Sequence, residues 1–363
     1  MIKFEGWELD FTENEPVYQE IFRSGMMAGD AGIEFLETRV CEISNRKYAV
    51  ACNNATDALY FSLIAHGIMP GDEVLVTDFS FIASASPISM AGAIPVFCDI
   101  NLETYHISLD SIKRMVSDKT KAIIYTHLFG SMSADYIDVL NFCKERNIVF
   151  IEDAAQSLGS SLNGIRAGSI GDCSSYSFNS NKVIAGISGG GVYMTDDASK
   201  AEYVKKLRRH GGSASNFEML GRNSKMSYMN AKVIDYRLQN YQEYQSKRQD
   251  IAKEYDDALH DLPVFIQKVP AGLVHNYHKY TIRFESSDDR KFARDTLRNQ
   301  NISAAVHYER PMSANTMYDH IEHRKDNCVN SKLASETILS IPIHAWIADR
   351  DLAHITNVLS ILA

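Results

Sequence analysis

The sequence predicts an α/β fold in which a mainly parallel sheet of seven strands is followed by a smaller α+β domain. From residue 48 to residue 194, short apolar runs alternate with helical patterns, which is typical of βαβ units. A long charged helical stretch follows, from about Tyr228 to Leu259, and beyond it strand and helix patterns are mixed. A chain of 363 residues with 45% hydrophobic residues is long enough for two buried cores.

The strands are predicted where apolar runs are bounded by turn residues. They are Tyr48–Cys52, Glu73–Val76, Ile94–Cys98, Lys121–Tyr125, Ile148–Glu152, Ser174–Phe178 and Gly191–Met194. The helices between and after them are predicted at Thr56–Ala65, Phe81–Ala91, Asp135–Arg146 and Lys200–His210. Sheets of this kind bind ligands at the carboxyl ends of their strands, so functional residues are expected there.

The C-terminal part of the chain is predicted to form the second, smaller unit. Its strand patterns are Tyr277–Phe284 and Ala304–Tyr308, and its helical patterns are Asp288–Gln300 and Asp349–Leu362. The long charged helix leads into this unit. We therefore predict a large domain at residues 1–240 and a small α+β domain at residues 241–363.

Composition and motifs exclude several classes of protein. A net charge of −9 leaves no basic surface of the kind that binds nucleic acid. The six cysteines lack CxxC pairs and metal-ligand spacing, so reduced core thiols and no metal site are expected. Neither a GxGxxG after the first strand nor a GxxxxGK[ST] occurs. The N-terminus lacks the apolar segment of a signal peptide and no stretch is long enough to cross a membrane, so we expect a cytoplasmic protein.

An acidic strand end and a later lysine carry the functional hypothesis. Asp153 lies at the end of a predicted strand, and Lys182 lies in the loop after a later strand. The pair suits pyridoxal 5′-phosphate, because a lysine forms a Schiff base with it and a carboxylate keeps its pyridinium nitrogen protonated. Taken singly, the carboxylate also fits a helix cap or a metal ligand, and the lysine fits a solvated side chain. Gly186 and Gly189–Gly191 favour the cofactor, since glycines let the backbone approach a ligand closely.

A phosphate site is predicted where the first strand leads into a helix. The run Asn54-Ala55-Thr56-Asp57-Ala58-Leu59 brings backbone N–H groups and the Thr56 hydroxyl to the positive end of that helix. An ordinary helix cap explains the same run. Gln156, three residues after Asp153, is expected to reach the phenolic oxygen of the ring, and Ser177 adds a hydroxyl five residues before Lys182.

Taken in order, these segments resemble the DegT/DnrJ/EryC1/StrS family of sugar aminotransferases, and the similarity covers nearly the whole chain. The motifs that carry it are Ser24-Gly25 with Gly29 before Phe35-Leu36-Glu37, Ala55-Thr56-Asp57-Ala58-Leu59, Glu152-Asp153-Ala154-Ala155-Gln156, Ser177-Phe178 with Lys182, Gly221-Arg222-Asn223-Ser224-Lys225-Met226, His307-Tyr308 and Leu339-Ser340-Ile341-Pro342. The family has the fold of the aspartate aminotransferase class. The resemblance therefore implies a fold-type I pyridoxal-phosphate-dependent transferase.

The resemblance gives the cofactor-binding residues their roles. Lys182 would form the Schiff base and shuttle the proton, Asp153 would pair with the pyridinium nitrogen, and Gln156 would contact the phenolate side. Phe81 would stack on the ring. The phosphate would be bound by the backbone of Ala55 and the hydroxyls of Thr56 and Ser177.

The remaining candidates would contact the second subunit and the substrate. Asn223 would reach the phosphate of the neighbouring subunit, which implies a homodimer with shared active sites. His307, Tyr308 and His278 would contact the sugar substrate. A hydrogen-bonded structural histidine is an equally good interpretation of His307.

Three departures from the family pattern affect details of the site. Ala55 replaces the usual glycine, which requires either a negative φ at this position or a strained backbone. The glycine-rich loop is Ser188-Gly189-Gly190-Gly191 and has an apparent one-residue insertion after Lys182. Lys225 stands where arginine is usual, so the planar guanidinium group, which can donate two parallel hydrogen bonds, is replaced by the compact charge of an ammonium group.

The resemblance implies an enzyme that aminates a nucleotide-linked keto sugar. L-glutamate is the expected donor, and pyridoxamine 5′-phosphate is the expected intermediate form of the cofactor. Pro311-Met312-Ser313 and Met317-Tyr318 resemble a segment of the 4-aminating perosamine-type enzymes. We therefore expect dTDP-4-keto-6-deoxyglucose to become a 4-amino-4,6-dideoxy sugar, as in O-antigen and lipopolysaccharide synthesis. Packing of the small domain explains the same segment.

Three alternatives remain at this point. The first is a 3-aminotransferase acting on a 3-keto-6-deoxyhexose. The second is a sugar dehydratase of the same family, but those enzymes carry histidine where this chain has Lys182. The third is a binding protein without turnover. The joint presence of the cofactor-binding residues argues against it.

Overall fold

An eight-stranded sheet forms the centre of the computed structural model, which describes residues 1–6, 14–26, 29 and 32–362. In chain order the strands are β1 (Tyr48–Cys52), β2 (Glu73–Thr77), β3 (Ile94–Cys98), β4 (Thr120–Thr126), β5 (Val149–Asp153), β6 (Ser161–Leu162), β7 (Ile165–Arg166), β8 (Cys173–Ser177), β9 (Gly191–Thr195), β10 (Gly212–Ser213), β11 (Asn216–Phe217), β12 (Phe265–Ile266), β13 (Leu273–Val274), β14 (Tyr280–Arg283), β15 (Arg324–Lys325) and β16 (Ile338–Ile341).

The helices of the described residues surround this sheet and form much of the C-terminal part. In chain order they are α1 (Glu15–Ser24), α2 (Glu34–Ser44), α3 (Ala55–Ala65), α4 (Ser86–Met90), α5 (Leu109–Met115), α6 (Tyr136–Glu145), α7 (Ala198–Leu207), α8 (Tyr228–Leu238), α9 (Tyr241–Leu259), α10 (Ser287–Asn299), α11 (Val329–Thr337) and α12 (Asp349–Leu359). None of them combines the length and the apolar composition needed to span a bilayer.

The strand order of the large sheet confirms the predicted mainly parallel fold. The order is β1-β9-β8-β5-β4-β2-β3-β15. From β8 to β15 all neighbours are parallel, whereas β9 is antiparallel to both β1 and β8. The seven predicted strands form within one residue of their expected ends. The eighth, β15, consists of two charged residues, which carry no apolar pattern.

Both faces of this sheet are buried, as near-continuous apolar strands require. Ile124 and Ile151 point to the face that packs with α3, and their neighbours Ile123 and Phe150 point to the face that packs with α6. Burying each of these side chains contributes roughly 1.5–3 kcal/mol. The strand ends are therefore fixed by the core, and so are the residues that follow them.

The C-terminal part contains a three-stranded antiparallel sheet in the order β12-β14-β16. Helices α9, α10 and α12 pack on it around one hydrophobic cluster. The break between α8 and α9 falls at residues 239–240, where we predict the domain boundary. However, β13 pairs with β6 and β15 pairs with β3, so the later chain also contacts the first part. The division into domains stays a prediction.

Three local expectations were wrong. The helix expected at Phe81–Ala91 is a 3-10 turn, Ile82–Ser84, followed by the short α4, because Pro87 has no N–H to donate to the carbonyl of Ala83 and so cannot continue one helix through this point. The strand expected at Ala304–Tyr308 contributes a single bridge between Ala305 and Ser340. The charged stretch after Tyr228 forms two helices, α8 and α9, in place of one.

Candidate active site

A cavity of about 480 Å³ lies at the carboxyl ends of β1, β5 and β8, where the fold predicts a site. The N-terminus of α3, the loop after β8 and two C-terminal segments complete its lining. All the sequence-predicted site residues except Asn223 line it. They are Ala55, Thr56, Phe81, Asp153, Gln156, Ser177, Lys182, His278, His307 and Tyr308.

Asp153 is held in one orientation by three donors. It is the last residue of β5, opposite Thr126 in the register with β4, and it is buried. Its Oδ2 accepts hydrogen bonds from the hydroxyls of Ser84 at 2.7 Å and Thr126 at 3.5 Å. Its Oδ1 accepts from the backbone N–H of Ala155 at 3.1 Å. The cavity is therefore provided with a fixed carboxylate.

The phosphate site expected at the start of α3 has the required free donors. Asn54 caps the helix, because its Oδ1 accepts from the N–H of Asp57 at 2.7 Å. The N–H groups of Ala55 and Thr56 border the cavity and have no partner within the helix. Ala55 is the first residue of α3, so its backbone is helical and the glycine usual in the family is not needed.

Gly191 allows the start of α3 to approach the sheet closely. It pairs with Cys52 between β9 and β1. A Cβ atom at Gly191 would lie 2.3 Å from the backbone N of Ala55 and the carbonyl C of Asn54. The absence of a side chain at this position therefore sets the position of the helix N-terminus relative to β9.

Lys182 is placed by a loop that is tied down at both ends. Its N–H donates to the carbonyl of Asn179 at 2.9 Å, and the N–H of Phe178 donates to the carbonyl of Gly190 at 2.9 Å. Burial lowers the pKa of Lys182 to about 8, an effect that Asp153 opposes and Lys279 reinforces. An amine with this pKa is partly neutral near pH 7, which makes it both a nucleophile and a base.

Gln156 links the sheet to the C-terminal segments. Its Oε1 accepts from the N–H of Phe129 at 2.9 Å, and its Nε2 donates to the Tyr308 hydroxyl at 3.1 Å. The ring of Phe81 lies 6.3 Å from that of Tyr308, and Phe81 is 57% exposed. A large exposed aromatic ring at a cavity mouth is suited to covering a flat ligand.

Two histidines face the cavity from the C-terminal segments. Nδ1 of His307 lies 3.0 Å from the Ser340 hydroxyl, and burial together with Lys279 and Lys182 lowers the pKa of His307 to about 3. Burial and the nearby Lys182 also lower the pKa of His278 well below its usual value. Both rings are therefore neutral at pH 7. The contact with Ser340 is what a structural histidine would make, but His307 also borders the cavity.

Asn223 lies outside the cavity and is exposed. Its segment runs beside the end of β1, since the N–H of Asn53 donates to the carbonyl of Ser224 at 2.9 Å. Lys225 is also exposed and forms a bridge with Cys52. A role for Asn223 at the site of a second subunit stays a prediction.

Ser313, on which the C4 expectation partly depends, does not line the cavity. Its N–H and hydroxyl donate to the carboxylate of Asp78 at 2.7 and 3.0 Å, and it is buried. Its observed role is to attach the segment after Tyr308 to the end of β2.

Several residues of the site were not predicted. Ser84 contacts Asp153 from a segment expected to be a regular helix, and no sequence signal marks it. Lys279 lines the cavity next to His278. It lies in the predicted strand Tyr277–Phe284, where a lysine is equally consistent with a side chain that faces solvent. Glu5, the partner of Lys279, carries no signal at all.

The arrangement fits pyridoxal 5′-phosphate. A lysine with a lowered pKa, a fixed carboxylate and a helix N-terminus face one cavity, which provides a partner for the aldehyde, the ring nitrogen and the phosphate of this cofactor. The fold and the site together define a fold-type I pyridoxal-phosphate-dependent transferase.

The chain belongs to the DegT/DnrJ/EryC1/StrS aminotransferase family, whose model matches residues 10–360. It is 32% identical over 332 residues to the pleiotropic regulatory protein of Geobacillus stearothermophilus, covering 90% of this chain and 88% of that protein. It is 32% identical over 325 residues to the UDP-N-acetyl-3-dehydro-α-D-glucosamine 3-aminotransferase of Acidithiobacillus ferrooxidans, covering 89% and 86%. It is 29% identical over 328 residues to the GDP-perosamine synthase of Caulobacter vibrioides, covering 88% and 86%.

A solved structure gives the same result. A sugar aminotransferase from Streptococcus pneumoniae in its pyridoxal-phosphate form superposes with a TM-score of 0.88 at 25% identity, covering 96% of this chain and 95% of that one. The protein is therefore a pyridoxal 5′-phosphate-dependent sugar aminotransferase.

Proposed function

We propose that the enzyme transfers the amino group of L-glutamate to a nucleotide-linked 4-keto-6-deoxyhexose, giving a 4-amino-4,6-dideoxy sugar. The first substrate to test is dTDP-4-keto-6-deoxyglucose. The observation that carries the proposal is that Lys182 and Asp153 line one cavity, with a lowered pKa on the amine and three donors fixing the carboxylate. Bound there, pyridoxal 5′-phosphate supplies an electron sink for a carbanion next to nitrogen.

In this proposal Lys182 moves the proton in both half-reactions. With a pKa of about 8, its Nζ accepts the proton from the α-carbon of the donor and releases it again at the same pH. His278 and His307 are neutral and have strongly lowered pKa values, so they are weaker bases than Lys182. Asp153 would hold the ring nitrogen protonated, and the first turn of α3 and Ser177 would hold the phosphate.

Two positions on the sugar compete for the amino group. The C4 proposal rests on the similarity of residues 311–318 to perosamine-type enzymes. Amination at C3 is the second candidate, because one of the relatives with 32% identity is a 3-aminotransferase. Ser313 lies outside the cavity, which weakens the argument for amination at C4. The arguments for transfer of an amino group to a keto sugar do not depend on Ser313.

A panel of keto-sugar nucleotides tests both the substrate class and the position of amination in one experiment. The purified enzyme is incubated with L-glutamate and each dTDP-, UDP- or GDP-linked keto sugar, and mass spectrometry measures conversion of ketone to amine. Two-dimensional NMR of the product then locates the nitrogen. Nitrogen at C3 would overturn the C4 proposal, but the protein would still be a sugar aminotransferase. Failure with every sugar would overturn the substrate class.

We also propose a homodimer in which Asn223 serves the phosphate site of its partner. Mixing Lys182→Ala protein with Asn223→Ala protein should then restore activity, because a hybrid dimer contains one site with both residues. Mixing Lys182→Ala with Asp153→Asn is the matched control: both residues belong to the same subunit's site, so no hybrid site is complete. Equal activity in the two mixtures, or an active monomer in sedimentation, would contradict the shared site.

A further inference from the structure

A buried lysine next to Lys182 has a carboxylate partner from the beginning of the chain. The side chain of Lys279 is 5% exposed, and its Nζ lies 3.1 Å from Oε1 of Glu5. The same Nζ lies 4.5 Å from the centre of the Phe4 ring. Lys279 and Lys182 both line the active-site cavity, and both line a small adjoining cavity that Phe4, Glu5 and Gly6 also border.

Positive groups outnumber carboxylates in this adjoining cavity. Lys279 and Arg248 line it beside Lys182, whose amine is the proposed partner of the cofactor, and Glu5 is the one carboxylate among its described lining residues. Nε of Arg248 is buried and has no hydrogen-bond partner within the described part of the chain. Buried charges are costly unless they are paired, so this cluster favours an anion even though Arg248 also donates to the carbonyls of Tyr277 and Ile343, and Glu5 supplies that anion.

His278 adds an unsatisfied donor or acceptor at the same place. It is 4% exposed, lines both cavities, and its Nδ1 lacks a hydrogen-bond partner among residues 1–6, 14–26, 29 and 32–362. A neutral imidazole can present an N–H at this nitrogen to an incoming carboxylate. The cluster therefore offers a charge from Lys279 and a hydrogen bond from His278.

We propose that Lys279 binds a carboxylate of the amino donor, and that Glu5 occupies the place of this carboxylate until the donor enters. The inference rests on the proposed use of L-glutamate. A glutamate side chain and the donor present the same group, so the exchange replaces one charge-assisted hydrogen bond by another. Ile2 attaches the N-terminal residues to the C-terminal unit, since its N–H donates to the carbonyl of Asn301 at 2.7 Å, and Glu5 therefore remains near Lys279.

The position beside Lys182 favours the donor over the diphosphate of the sugar nucleotide. The α-carbon of the donor must reach Nζ of Lys182 for proton transfer, and its carboxylates lie within a few bonds of that carbon. In a 4-keto sugar nucleotide, the sugar ring separates the keto carbon from the diphosphate. A cation next to Lys182 is therefore suited to a carboxylate of the donor.

Substitution of Lys279 tests this in steady-state kinetics. Lys279→Met should raise the KM for L-glutamate roughly tenfold to a hundredfold, the range for one hydrogen bond to a charged group, and leave the KM for the keto sugar unchanged. Lys279→Arg should restore most of the loss. Lys268→Met, which breaks the exposed pair with Glu103 at 2.8 Å, is the matched control and should change neither constant. An increase only in the KM for the keto sugar would overturn the proposal.

Binding without turnover separates this inference from the proposed function. Calorimetric titration of the holoenzyme with glutarate should show a tenfold or greater loss of affinity in Lys279→Met and a gain in Glu5→Gln, whose competing charge is removed. Unchanged glutarate affinity in Glu5→Gln would overturn the proposal even if Lys279→Met fails to fold. A loss of affinity for inorganic diphosphate in place of glutarate would also overturn it. If the wild-type enzyme does not react with L-glutamate, the proposed donor is wrong, while glutarate binding still decides the role of Lys279.

Discussion

The two walls of the active-site cavity differ in how several of their polar side chains are held. In the sheet wall, formed by strand ends, the loop after β8 and α3, Asp153 accepts three hydrogen bonds and Asn54 caps its own helix. In the C-terminal wall, Nδ1 of His278 is unpaired within the described chain, and Lys279 depends on Glu5. Groups held by the protein suit a ligand that stays, whereas groups with replaceable partners suit ligands that enter and leave. We therefore propose that the cofactor contacts the sheet wall and that the two substrates contact the C-terminal wall.

The largest effect is expected in the sheet wall. Lys182→Ala should lose transamination by at least the roughly 10²–10⁴-fold that proton transfer contributes, yet still bind pyridoxamine 5′-phosphate. Single-turnover reaction with L-glutamate, followed by absorbance, measures the loss. The exposed Lys121→Ala is the control. Full turnover without Lys182 would remove the basis for assigning the cofactor to this wall.

A smaller loss is expected from Asp153→Asn, which should keep the cofactor but slow carbanion formation. A hydrogen bond to a charged group contributes about 1.5–3 kcal/mol, which corresponds to roughly a tenfold to hundredfold change in rate. The rate of the half-reaction with L-glutamate measures it, with the exposed Asp261→Asn as control. A wild-type rate would mean that Asp153 is only a structural residue.

The lowered pKa of Lys182 predicts a pH dependence that connects the two walls. Protein stripped of cofactor should react with pyridoxal 5′-phosphate about tenfold faster at pH 9 than at pH 7, because the neutral fraction of an amine with a pKa of about 8 rises by this factor. The charge of Lys279 contributes to this lowering, so Lys279→Met should move the midpoint to higher pH. An unchanged midpoint would mean that the two lysines do not interact.

The smallest effect is expected where the walls meet. Tyr308→Phe removes the hydrogen bond from Gln156 at 3.1 Å, which contributes about 0.5–1.5 kcal/mol. We expect the KM for the keto sugar to rise a few-fold while cofactor affinity stays constant. Equilibrium dialysis of the cofactor beside steady-state kinetics measures both. Weaker cofactor binding with an unchanged KM for the keto sugar would mean that Tyr308 serves the cofactor and not the sugar substrate.

The sheet wall could be predicted from sequence because its residues lie close to strand ends in the chain. Asp153 ends β5, Ser177 ends β8, and Thr56 lies in the first turn of the helix after β1, so a correct set of strands was enough to bring them together. The core fixes these ends, and local sequence therefore determines the geometry. The contact of Ser84 with Asp153 was not predicted. It comes from a segment that forms a 3-10 turn in place of the expected regular helix, because Pro87 interrupts that helix.

The C-terminal wall could be predicted only in part. His278, His307 and Tyr308 were recognised by their motifs, and they do line the cavity. The pair of Lys279 with Glu5 joins residues from opposite ends of the sequence, and no local pattern indicates such a contact. The contact of Ser313 with Asp78 is of the same kind, and the motif that contains Ser313 gave no indication of it.

The short strand β15 has a consequence for producing parts of this enzyme. It pairs with β3, and Arg324 forms an ion pair with Glu73 at 2.6 Å. Before residues 324–325 leave the ribosome, the outer side of β3 exposes unpaired backbone groups, which are a template for strands of other molecules. A fragment that ends at residue 240 would keep this bare edge permanently. We expect such a truncation to self-associate, whereas the full-length chain protects its own sheet with two cationic residues.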